Sequence, residues 1–291
     1  MDLFTGIWIP LVTPFRGGRL DTQAVEKLTD MAARAGCRGV VVCGTTGEPA
    51  GLNEKEKRGL LAAVQASGHG RLGIVMGLCG SDTAAVAQEA HGWSECGIDG
   101  LLISAPYYVR PAQEGIYRHF EQIARHTDLP IVLYNIPYRT GVNIEVETIR
   151  RLAEKPQFAA IKESGGGNLD QLVDLVAQTP LKVLTGEDRM VYINACLGGH
   201  GAIAAAAHIR PDLYVKTLAL VGNGGLAEAR ATFAPLVPLI RALFAEPNPG
   251  PVKAALALQG LISEELRLPM TPVSPACRER LRGLLQCVDA L

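Results

Sequence analysis

The chain has 291 residues, 48% of them hydrophobic and 20% charged, and a formal net charge of −1. This is the composition of an ordinary globular protein with room for one large core, and near neutrality without basic tracts argues against nucleic acid as a partner. No apolar run reaches the roughly 18 residues that a membrane span needs, and "MDLFTGIWIPLVTPF" lacks a basic segment before its apolar stretch, so a cytoplasmic protein is expected.

Taken in chain order, eight short runs rich in Val, Ile, Leu and Ala recur: "GIWIPLVTP", "GVVVCG", "LGIVMGL", "GLLISAP", "PIVLYNIP", "FAAIKES", "KVLTGED" and "GAIAAAA". Each is apolar throughout rather than alternating, as in parallel strands covered on both faces. Helical patterns lie between them. Asp21 precedes Val25, Leu28 and Ala32 and Gly36 follows, while Asn53 and Glu56 form a capping-box pair ahead of Leu60, Leu61 and Val64. Strand and helix alternate eight times with starts roughly 20 to 35 residues apart. That predicts an α/β fold, a (β/α)8 TIM barrel over residues 1–224, followed by a small C-terminal helical domain over 225–291 that "EPNPGP" interrupts. A doubly wound open sheet is the alternative, but no G-x-G-x-x-G follows the first strand.

The seven cysteines are scattered without a C-x-x-C pair and read as reduced, mostly buried thiols. The histidines show no zinc spacing, so no metal is expected.

In such a barrel the active site forms where strands end. Those ends carry "GTTGE" after strand 2, "SAPYY" after strand 4, "YNIPYRTG" after strand 5, Lys162 on strand 6 and "TGED" after strand 7. Lys162 lies between Ile161 and Glu163 in an apolar run. Burial there depresses a lysine pKa, by up to about 3–5 when complete, and supplies a neutral amine able to form a Schiff base with a carbonyl. Its plainer role is to end the strand and pair with Glu163 or another carboxylate. Tyr134, at the end of the neighbouring strand, could shuttle protons for such an amine or simply pack its ring. Thr45 and Thr46 offer hydroxyls to a carboxylate or a proton relay, or act only as loop residues. Arg139, in a loop beyond Pro137, could grip a carboxylate or stand in solvent. Glu48 is expected to hold the backbone N–H groups of its own turn. Gly165 to Gly167 are expected to form a flexible loop, since the P-loop lysine and hydroxyl pattern is missing.

Together, "LVTPF", "GTTGE", "PYYVRPAQEGIYRHF", "LYNIPYRTG", "IKES", "GGHGAI", "EPNPGPVKAAL" and "LRLPMTP" resemble the pyruvate-dependent class I aldolase superfamily that includes dihydrodipicolinate synthase and N-acetylneuraminate lyase. The likeness covers essentially the whole chain. The paired threonines and the arginine of "PYRTG" resemble the synthase branch. The resemblance implies that Lys162 forms the Schiff base with pyruvate and that Tyr134 is the central proton-transfer residue. It further implies that Thr46 and Tyr108 complete a hydroxyl relay, with Tyr108 reaching in from a neighbouring subunit. Thr45 would bind the pyruvate carboxylate, Arg139 the carboxylate of aspartate semialdehyde, and the backbones of Gly186 and Ile203 would line the site. No metal or organic cofactor is implied, and the usual assembly is a homotetramer built as a dimer of dimers.

Three departures stand out. "AIAAAAHI" replaces the usual "SVTAN" and puts His208 where asparagine is common, Val109 replaces a polar residue, and "SGGGNLD" replaces "ATGNL". They leave the Schiff-base residues in place and the second substrate open, so a sibling aldolase or dehydratase acting on a 2-keto-3-deoxy sugar acid, N-acetylneuraminate or another aldehyde is the alternative. A silent 2-keto-acid-binding barrel is a third reading. Glu54, Lys57, Ser81 and Ala85 replace the residues with which sensitive members bind lysine, although Tyr107 remains, so weak or absent lysine inhibition is expected.

Overall fold

The computed structural model describes residues 3–68 and 70–290. Its eight main strands coincide with the eight apolar runs: β1 Gly6–Pro10, β2 Gly39–Val42, β3 Gly73–Leu78, β4 Gly100–Ser104, β5 Ile131–Asn135, β6 Phe158–Glu163, β7 Lys182–Thr185 and β8 Gly201–Ile203. They close into a parallel barrel in which sequence neighbours are sheet neighbours and β8 returns to β1. Helices separate the strands, so this is the expected TIM barrel. Nearly every strand residue is buried, which is why the runs are apolar on both faces. The helix-start signals hold as well. Asp21 accepts from Ala24 N at 3.1 Å to cap α1 (Thr22–Arg34), and Asn53 and Glu56 exchange reciprocal bonds of 3.1 and 2.9 Å at the start of α2 (Glu54–Gly68).

Backbone contacts divide the chain into two compact units. One takes the chain up to Gly6 and Ile74–Ile203, the other Ile7–Gly73 and the chain from Ala204 on.

In the first unit, β5 and β6 pair with one irregularity. Ile131 stands opposite Phe158, whereas Val132 stands opposite Ala160, so β6 carries an extra residue at Ala159. That bulge advances β6 by one position and sets Lys162, rather than Ile161, opposite Tyr134. Because strand side chains alternate, the same register sets Asn135 opposite Glu163 on the other face.

In the second unit, helices follow the barrel, among them α3 (Gly250–Leu258) and α4 (Pro275–Asp289). They are tied back by a buried ion pair. Lys253 of α3 is fully buried, donates to Glu48 Oε1 at 2.5 Å and to the Glu265 carbonyl at 2.7 Å, and lies 4.4 Å from the Phe15 ring centroid. The other Glu48 oxygen accepts from the Arg267 N–H at 3.1 Å. Glu48 is thus structural but holds remote chain instead of its own turn, because the turn's N–H groups at Gly47 and Glu48 are taken by the carbonyls of Gly44 and Thr45.

Among the described residues no helix is long and apolar enough to cross a membrane, and no group of three or more His, Cys, Asp or Glu is placed to hold a metal. The cysteines are free, but only Cys37, Cys43 and Cys277 are buried, fewer than expected. Cys79, Cys196 and Cys287 lie at or near helix and strand ends, where the apolar pattern alone does not fix burial.

Removing one partner of a buried pair strands the other charge. Glu48→Gln is therefore expected to lower the unfolding free energy by about 3–5 kcal/mol in urea titration. A change below about 0.5 kcal/mol would mean that Lys253 is held by its other contacts.

Candidate active site

Lys162 and Tyr134 project from register-matched positions, so both side chains lie on one face of the sheet. Each is only 6% exposed, and the lysine Nζ sits 4.2 Å from the centroid of the Tyr134 ring. Burial pulls the Lys162 pKa down to about 8. The Asp188 and Glu187 carboxylates oppose that shift and the Arg139 guanidinium adds to it. A substantial fraction of the amine is therefore neutral near pH 7 to 8, the condition for attack on a carbonyl.

Glu163 is not the lysine's partner. It points to the opposite face, where its carboxylate accepts from Asn135 Nδ2 at 3.1 and 3.0 Å and from Gln171 Nε2 at 3.1 Å. Asn135 Nδ2 also donates to Asn143 Oδ1 at 2.8 Å, and Asn143 Nδ2 donates to Gln171 Oε1 at 2.8 Å. Burial pushes the Glu163 carboxyl up to about 7, against the pull of these donors. This network clasps β5 to β6 directly behind Tyr134 and Lys162, so it fixes the register on which their approach depends. The sequence run "KES" gave no sign of it, because the donors come from three separate segments.

Of the glycines after β6 only Gly165 is packed; Gly166 and Gly167 are exposed loop positions with open space where a Cβ would stand. A Cβ on Gly165 would come within 2.6 Å of Glu163 Oε1, Gly166 and Gly167 have φ of +71° and +86°, and the Gly166 N–H donates to Glu187 Oε1 at 3.3 Å. Arg139 occupies a four-residue helix, Pro137–Thr140, in place of the expected loop, with Pro137 supplying a favourable first helical residue. It is exposed, 5.8 Å from the Tyr138 ring centroid. Gly186 directly follows β7, and Ile203 ends β8. Tyr108 is 90% exposed, with φ +72°, so its ring is not gathered against the lysine of its own chain.

In the second unit, Thr45 and Thr46 form a 3-10 turn after β2, Thr45 half-buried and Thr46 buried. Thr46 Oγ1 accepts from Asn248 Nδ2 at 2.9 Å. Asn248 was legible only as one polar residue between Pro247 and Pro249 in "EPNPGP". His208, the departure after the last strand, is a staple in this unit. Its Nε2 accepts from Val12 N at 3.1 Å and its Nδ1 donates to the Ala205 carbonyl at 2.7 Å, which fixes one neutral tautomer. Burial holds its pKa at about 4, so it carries no charge at neutral pH.

Gly186 bounds the lysine tightly: a Cβ there would overlap Ser164 Oγ and lie 2.6 Å from Lys162 Cε. Gly186→Ala is expected to displace the lysine chain and lower its reactivity on the order of 10²-fold while the far-ultraviolet dichroism stays native. Retention of near-native reactivity would show that the pocket yields at no cost.

The sequence profile of the Dihydrodipicolinate synthetase family matches residues 3–288. A 4-hydroxy-tetrahydrodipicolinate synthase of Syntrophobacter fumaroxidans is 40% identical over 287 residues, covering 98% of each chain. The structure of dihydrodipicolinate synthase from Thermotoga maritima superposes with a TM-score of 0.96 at 36% identity, covering 99% of this chain and 100% of that one. A monomeric dihydrodipicolinate synthase variant also superposes with a TM-score of 0.96 at 36% identity, covering 99% and 98%. With a buried lysine stacked on a tyrosine at the strand ends of a TIM barrel, and with this agreement from end to end, the chain belongs to the dihydrodipicolinate synthetase family.

Proposed function

We propose that the chain is a lyase of the class I aldolase type, condensing pyruvate with aspartate semialdehyde to give 4-hydroxy-tetrahydrodipicolinate in lysine and diaminopimelate biosynthesis. The observation that carries this reading is the desolvated Lys162 amine beside Tyr134. The full-length relative named 4-hydroxy-tetrahydrodipicolinate synthase supports it.

The neutral amine adds to the pyruvate ketone, and loss of water leaves an iminium on Lys162. The iminium draws electrons from the methyl carbon, which releases a proton and becomes an enamine. That carbon forms a bond to the aldehyde carbon of the semialdehyde. The substrate amino group then attacks the imine carbon, closing the ring and freeing Lys162. Tyr134, Thr46 and Tyr108 move the protons in this scheme. Thr45 holds the pyruvate carboxylate, Arg139 the semialdehyde carboxylate, and the backbones of Gly186 and Ile203 line the site. The exposed Tyr108 ring suits a side chain that serves a neighbouring copy, consistent with a homotetramer. The reaction calls on no metal or organic cofactor, and we assign it to the cytoplasm.

Steady-state specificity constants with pyruvate and a panel of aldehydes test the reading. Aspartate semialdehyde is expected to exceed sugar aldehydes and 2-keto-3-deoxy acids by at least about 10²-fold. Arg139→Ala is expected to remove most of that preference, since a bidentate carboxylate contact is lost. Turnover confined to sugar substrates would move the protein to a sibling aldolase.

A further inference from the structure

Ser164 follows β6, and its N–H continues the ladder by donating to the Asn135 carbonyl at 2.9 Å. Strand alternation then returns its side chain to the face that Lys162 occupies. The residue is 1% exposed, and its hydroxyl has no hydrogen-bond partner among the described residues. A buried hydroxyl left in that state weakens a fold, and alanine in its place would not. Unlike Ser164, the nearby polar groups are engaged: the Glu163 carboxylate faces the other way, and the Gly186 N–H is taken by the Glu163 carbonyl at 2.7 Å.

Gly186 fixes where the hydroxyl lies. The position of a Cβ there is filled by Ser164 Oγ on one side and approached to 2.6 Å by Lys162 Cε on the other. Hydroxyl and lysine chain therefore border the same small volume. We propose that Ser164 is an additional substrate-contacting residue, whose hydroxyl donates a hydrogen bond to the oxygen of the keto acid as that acid becomes joined to Lys162.

This rests on the Schiff-base reading above. As the Lys162 nitrogen bonds to the keto carbon, the carbonyl π pair moves onto oxygen. The nitrogen sheds a proton, the oxygen gains one, and a further proton from solvent lets that oxygen leave as water when the iminium forms. Ser164 gives up no proton in this sequence. Its hydrogen bond stabilises the oxygen while negative charge builds there. The hydroxyl that meets no acceptor among the described residues thus finds one in the adduct.

Full-length protein and its Ser164→Ala variant, mixed with pyruvate and quenched with borohydride over a time series, give the rate of adduct formation on Lys162 by mass spectrometry. The variant is expected to keep or raise the melting temperature and to form the adduct roughly ten-fold more slowly. Equal rates in the two proteins would overturn the proposal and leave Ser164 a buried hydroxyl without a role. Absence of any Lys162 adduct in the unaltered protein would instead sink the Schiff-base reading and this inference with it.

Discussion

Desolvation of one amine is the constraint on which this structure turns. Lys162 sits among apolar strand residues with its Nζ over the Tyr134 ring, and burial outweighs the fields of Asp188 and Glu187. A second buried lysine in the same chain shows what that balance decides. Lys253 is also lowered by burial, but Glu48 touches its ammonium at 2.5 Å and pulls the other way, as does Glu265. Contact with a carboxylate ties Lys253 into an ion pair that joins the later helices to the loop after β2. The carboxylates of Asp188 and Glu187 act on Lys162 only through their field and leave its amine available for chemistry.

The lysine's position depends in turn on strand register. The extra residue at Ala159 brings Lys162 opposite Tyr134, and strand alternation then sends Asn135 and Glu163 to the opposite face. One register thus builds two pairs with different tasks. The inward pair sets a desolvated amine beside a phenol, and the outward pair, extended by Gln171 and Asn143, locks the two strands. A slip of one residue would exchange their faces and bury the carboxylate where the amine belongs. The packed glycines Gly165 and Gly186 stand where the network and the lysine leave no room for a Cβ.

Much of the fold was legible because it is periodic or local. The eight strands announced themselves as apolar runs, and the caps at Asp21 and at Asn53 with Glu56 depend on residues three apart. Lys162 and Tyr134 were legible because a charge and a phenol at strand ends stand out against their surroundings. What escaped was the pairing of distant segments. The bulge at Ala159 leaves no mark in "QFAAIKES", the partners of Glu48 lie some two hundred positions away, and His208 shows its structural role only through Val12 and Ala205. Ser164 carries no local mark ahead of its three glycines; its burial, its missing partner and its closeness to Gly186 arise only in the fold.

The central claim, that burial makes the Lys162 amine nucleophilic near neutral pH, is tested most directly by the pH dependence of its trapping with pyruvate and borohydride under conditions where pyruvate addition limits the rate. Protonated amine predominates below the pKa. The logarithm of the rate should therefore rise with unit slope at low pH and level off near pH 8. A rise continuing to the ordinary lysine value of 10.5 would contradict the account, because it would mean that the amine is solvated in the folded protein.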